Sequence, residues 1–110
     1  MSILQTIDNL EKSIDEYLLI LMSGNENRIL GEMHILSGAL TEALPAIMGV
    51  YSDERMSEHS DDVNYWPEQL KRILEALGRG DYFLAADALK FEMEGNLNLL
   101  KQTVKEAGLA

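Results

Sequence analysis

Residues 65–107, YWPEQLKRILEALGRGDYFLAADALKFEMEGNLNLLKQTVKEA, decide the fold. Before Gly78, the residues Trp66, Leu70, Ile73, Leu74 and Leu77 recur at helical spacing. After Gly80, a second stripe runs through Tyr82, Ala86, Leu89, Met93, Leu97, Leu100 and Val104. Steps of three and four place each set on one side of a helix, and the alternation of a strand is missing. Pro67 falls in the first turn, where its absent N–H costs nothing. Gly78-Arg79-Gly80 is a stop signal, and Asp81 is a good N-cap for a second helix. The reading is a helix over 65–77, a tight turn, and a helix over 81–107 that ends at Gly108.

The upstream half repeats the theme. Ile3, Ile7, Leu10, Ile14, Tyr17 and Leu21 form a seam in steps of four and three, predicting a helix over 2–22. Gly24 suits a left-handed C-cap. Ile29, Met33, Leu36, Leu40, Leu44 and Ile47 predict a second helix over 25–50. Pro45 interrupts it, on the side opposite the stripe, and should strain or kink it near Thr41. Folding about Gly24 brings Leu10 near Gly38; folding about Gly80 brings Trp66 near Met93, a sulfur–aromatic contact. Between the two hairpins, residues 51–64 read as a long polar linker. The expected fold is all-α: a four-helix bundle of two antiparallel hairpins joined by an acidic linker, one domain over 1–110.

Composition narrows the function. The chain has 110 residues, no cysteine and a formal net charge of −10. A disulfide framework, a cysteine zinc site and a thiol nucleophile are excluded. The acidity argues against nucleic acid, whose phosphates call for Lys and Arg. It is also uneven: residues 51–64 carry five acids and one base, whereas 65–110 carry seven acids and six bases. The longest apolar run near the N-terminus, residues 17–22, is too short for a secretory signal, and no segment approaches the ~20 apolar residues of a membrane span. A cytoplasmic protein without a membrane partner is expected.

Two features exceed what a lone bundle needs. Helices 2 and 4 would each be about 40 Å long and helix 3 only about 20 Å. Either the acidic linker or another chain must cover the difference. Helix 4 is also apolar on its back, through Leu84, Ala88 and Phe91, with Phe83 to the side. Helix 2 carries a lane of small residues on its own back, including Gly31 and Gly38. Glycine within a helix costs about 1 kcal/mol relative to alanine, and small residues admit another backbone. These six residues, Gly31, Gly38, Phe83, Leu84, Ala88 and Phe91, are the expected contact surface for a protein partner or a second copy. The acidic surroundings favour a basic partner.

Catalytic and metal chemistry is not legible. The residues three before His34 and His59 are Gly31 and Met56, so the Glu-x-x-His motif of di-iron bundles is missing. The acidic residues of 53–62 lack the spacing of an EF-hand loop and read as a solvated loop. Asp87 and Lys90 read as a surface pair, and Lys71, Arg72, Arg79 and Lys90 as part of a salt-bridged face. Arg79-Gly80-Asp81 spells an integrin-binding tripeptide, but the turn and the cap account for it fully. No catalytic, cofactor or metal residue is assigned and no enzyme is expected.

Gly80, Asp81, Tyr82, Leu84, Ala86, Asp87, Phe91 and Glu92 form a pattern of their own: a Gly-Asp-Tyr helix start, then Leu-x-Ala-Asp, then an aromatic–Glu pair. In this the segment resembles small all-helical proteins of Gram-positive bacteria whose function is itself unknown, so the resemblance implies a helical fold and no activity. The layout also looks like that of small bacterial export chaperones. Together these readings lead to a protein–protein interaction role, adaptor-like or chaperone-like, with or without homodimerisation. The alternative is a small metal- or ligand-binding bundle using the histidines and the linker carboxylates.

Overall fold

The computed structural model describes residues 2–109. Helix α1 spans Ile3–Ser23 and α2 spans Glu26–Val50. Each begins at a side-chain cap. Ser2 and Gln5 form a reciprocal capping box, and the Asn25 carbonyl oxygen of the side chain accepts from the Arg28 amide. Gly24 ends α1 at φ 72°, a left-handed conformation that glycine adopts without steric cost. Leu10 lies with Ala39 and Ala43 along the groove between the two helices.

Helix α2 runs uninterrupted through Pro45. Pro45 and Thr41 are both exposed, so the carbonyl that loses its amide partner lies on the wet side. By length and composition α2 is also apolar enough to cross a membrane, which the sequence reading missed. In this fold Ile29, Leu36, Leu40, Ala43 and Ile47 of its stripe are spent on the core.

The segment read as a linker is helical. A 3-10 helix spans Glu54–Asn64, opened by Asp53, whose carboxylate accepts from the Arg55 amide. Met56 within it is fully buried. Arg55 donates to the Gly108 carbonyl oxygen at 3.0 Å, which ties this segment to the far end of the last helix. The acidic segment therefore supplies the cover that the short third helix cannot.

Helix α3 spans Tyr65–Gly78. Its buried face includes Trp66, Leu70, Ile73 and Leu77, as the periodicity predicts, and also Gln69, which it does not. Gly80 takes φ 74° in the turn, and the Asp81 carboxylate then caps the next helix by accepting from the Leu84 amide at 3.3 Å. Trp66 and Met93 line one small void in the core, together with Leu10, Leu40 and Ile47.

The last helical stretch has three parts: α4, Tyr82–Ala88; a π-helical turn, Leu89–Met93; and α5, Glu94–Glu106. The interruption has a geometric cause. The buried residues run Ala85, Leu89, Met93, Leu97, in three successive steps of four. An α-helix has 3.6 residues per turn, so each step of four overshoots by about 40°. Three such steps would carry the stripe about 120° away from the core. A π turn holds more residues per turn and returns the stripe to the same face. The turn also decides which alanine is inside: Ala85 is buried, whereas Tyr82 and Ala86 of the predicted stripe are half-buried. The result is an all-α bundle measuring 45 × 22 × 20 Å.

Candidate functional site

Two surface features stand out from the packed core. The first is a groove of about 190 Å³ between α3 and α4. Arg72, Glu75 and Arg79 line one side; Leu84, Ala88 and Glu92 line the other. Leu84 is half exposed. Phe83 and Phe91, on the same helical stretch, are each 73% exposed. The cap at Asp81 sets the phase of α4. With Ala85 and Leu89 turned inward, Leu84 and Phe91 are left outside.

Four of the six expected contact residues thus belong to one helical stretch, with Leu84 and Ala88 lining one groove. Gly31 and Gly38 on α2 do not line it. Both are exposed, and a methyl group built on either would meet no atom within 4 Å. The lane is open space, and nothing in this fold requires glycine there.

The charges around the groove differ from the sequence reading. Among the described residues the ion pairs are Arg55 with Asp53 and Lys101 with Asp8 and Glu11, and His59 lies beside Asp62. Asp87 and Lys90 are not among them; Lys90 instead sits over the Phe91 ring, 5.9 Å from its centroid. Among the described residues Lys71, Arg72 and Arg79 form no ion pair either, so the expected salt-bridged face is not formed there. Long side chains at the surface gain little from pairing in water, which offsets poorly the rotamer freedom they lose. Arg72 is held by Gln69, and the Gln69 amide donates to Glu92 Oε2 at 3.2 Å. This relay couples α3 to the π turn and satisfies the buried glutamine.

The second feature is a cleft of about 240 Å³ where the end of α2, the 3-10 helix, α3 and α5 meet. Tyr51, Tyr65 and Trp66 supply aromatic walls, and Asn96 and Thr103 reach in from α5. The indole N–H of Trp66 donates to Tyr51 Oη at 2.8 Å. The Asn96 amide donates to Tyr65 Oη at 2.7 Å and to the Glu92 carbonyl oxygen at 2.8 Å. Burial pushes both phenols above their ordinary pKa, and at Tyr51 the nearby Asp62 carboxylate adds to the rise. The sequence reading did not find this cleft, although a signal was there: three of the chain's seven aromatic residues lie within 51–66.

His59 and Asp62 stand in the lining of that cleft, Nδ1 and carboxylate 3.7 Å apart. His34 is exposed on α2. Among the described residues no three His, Asp or Glu side chains converge as metal ligands would.

Across the α1–α5 contact lies an acidic row. Burial and hydrogen bonding to Asp15 hold the Glu94 carboxyl above its ordinary range, with Glu11 adding repulsion and Lys90 relieving part of it. Lower down, Lys101 reaches Glu11 at 2.9 Å and Asp8 at 3.6 Å. At the other end of α1 the Tyr17 hydroxyl donates to the Tyr82 carbonyl oxygen, and burial pushes its pKa up to about 12. These contacts tie the N-terminal helix to the last helical stretch.

No protein-family model, curated protein or solved structure matches the chain.

Proposed function

We propose that the chain is a non-enzymatic interaction protein that receives an amphipathic helix of a protein partner along α4. The observation that carries this reading is the exposure of Phe83, Leu84 and Phe91 on one helical stretch. Isolated exposed apolar residues are ordinary, but two exposed phenylalanines on the helical stretch whose Leu84 and Ala88 line a groove are a concentrated loss of burial. Fully burying such a side chain is worth about 1.5–3 kcal/mol, and aromatic anchors dominate interface energetics.

The groove also revises the chemistry of the partner. A chain of −10 suggests a basic partner, but the groove holds both signs: Arg72 and Arg79 against Glu75 and Glu92. Among the described residues the Arg79 side chain has no ion-pair partner, and its guanidinium can donate to a carboxylate in bidentate fashion. The partner helix therefore carries apolar anchors for Leu84, Ala88 and Phe91, and an acidic residue opposite Arg79. A second copy of this chain is the competing occupant.

The test is affinity capture from the native cell with the wild type and Phe91→Asp in parallel, alongside sedimentation of both. Phe91 is exposed, so the variant is expected to melt with the wild type. A protein retained by the wild type and lost by the variant supports a partner. A dimer lost by the variant assigns the face to a second copy. Identical retention and identical mass for both would overturn the reading.

A further inference from the structure

Helix α2 is apolar on more than one side, and a helix of that kind is normally covered all round. Only 22% of its most apolar stretch is buried in this fold. Half of residues 30–49 are exposed, and Glu42 is the one acid among those exposed residues, with no Lys or Arg. Glu32 is half-buried. The outer face of α1 differs: Asp8, Lys12, Asp15 and Glu16 are all exposed there. Two chains of −10 repel one another over most of their surface, and least along α2.

The order of residues on this face is self-complementary. His34, Gly38 and Glu42 are exposed and follow one another in steps of four, so they form a single row along the helix. A two-fold axis beside Gly38 sets a second α2 antiparallel to the first. Residues equally far from Gly38 in opposite directions then meet, and each contact occurs twice. His34 faces Glu42 of the second copy, and Glu42 faces its His34. An imidazole N–H donates to a carboxylate whether or not the ring is charged. Leu30 and Ile35, 44% and 56% exposed, come beside Ala46 and Thr41 of the second copy. At the crossing point a methyl group built on Gly38 meets no atom within 4 Å, so there is room for another backbone. A lipid surface fits this face less well, because His34, Thr41 and Glu42 would lose water there without gaining a partner.

We propose that two copies of this chain associate through the exposed face of α2, antiparallel about Gly38, with His34 of each copy paired to Glu42 of the other. This face shares no residue with the groove between α3 and α4, and the proposal does not rest on the interaction reading.

Sedimentation equilibrium of the full chain, at concentrations up to about 1 mM, tests it. The wild type should show a concentration-dependent dimer. His34→Glu sets carboxylate against carboxylate twice per dimer and should weaken association about tenfold. His34→Glu combined with Glu42→His exchanges the two groups and should restore the dimer. Both positions are exposed, so the variants should melt with the wild type. The chain has no cysteine, which allows a second measurement independent of charge. Gly38→Cys should oxidise to a disulfide-linked dimer, whereas Gly49→Cys, far from the two-fold axis, should not. A wild type that stays monomeric throughout would overturn the proposal. So would a dimer that His34→Glu leaves intact, a double variant no tighter than the single one, equal cross-linking at 38 and 49, or a dimer abolished by Phe91→Asp.

Discussion

Met56→Ala measures directly whether the acidic segment belongs to the core. Met56 is fully buried although it sits in the most polar stretch of the chain, and the substitution removes three heavy atoms from that position. Methionine-to-alanine changes in cores cost about 2–5 kcal/mol, the lost transfer energy plus the cavity left behind. A middle value is about 3 kcal/mol. At about 2.1 cal/mol/K per residue, the unfolding entropy of a chain this size is roughly 0.23 kcal/mol/K, so the melting temperature should fall by about 13 °C. The control is internal. Met22 is 85% exposed, and Met22→Ala should stay within about 0.5 kcal/mol, or roughly 2 °C. Thermal unfolding measured by circular dichroism compares the two. Equal, small shifts would refute the reasoning and return residues 51–64 to the status of a loose linker. A large loss at Met56 alone establishes that the 3-10 helix folds with the bundle.

Glu94 and the glycines give further expected outcomes. The folded state holds the Glu94 proton more tightly than the unfolded chain does, so wild-type stability should fall as pH rises from about the ordinary value of 4.5 through the raised folded pKa. Glu94→Gln should therefore be the more stable protein at neutral pH, with the gap closing below pH 4.5; denaturant melts across pH check this, and a gap independent of pH would contradict it. Gly80→Ala should cost about 1–2 kcal/mol by forcing an L side chain to φ 74°, whereas Gly31→Ala on the open back of α2 should stabilise by up to about 1 kcal/mol, both read from melting temperature.

The sequence was most informative where structure is local. The stripes of α1 and α2, the Asp81 cap and the glycine turns at 24 and 80 are set by residues within a few positions of each other, so periodicity and capping chemistry were enough to read them. The apolar back of α4 was legible for the same reason. Its charge environment was not. Whether Lys90 meets Asp87 or the Phe91 ring depends on rotamers, and sequence spacing leaves both open.

Met56 was hidden because one apolar residue among acids carries no period. Its burial depends on α3 being short and on Arg55 reaching Gly108, a contact across 53 positions. Gln69 was hidden because a polar residue is read as surface unless its partners are known, and one of them, Glu92, lies on another element. The π turn arises from the match between a stripe in steps of four and a core that stays in one direction. The aromatic cleft needs four elements to meet before any of its groups face one another. By itself the sequence determined the main helices outside residues 54–64, their ends to within a few residues, and which side of each is apolar, because those properties are short-range. Only the tertiary structure decided which acidic-segment residue is core, how the last stripe is turned back, and that Tyr51 and Tyr65 line one cleft, because these depend on long-range packing.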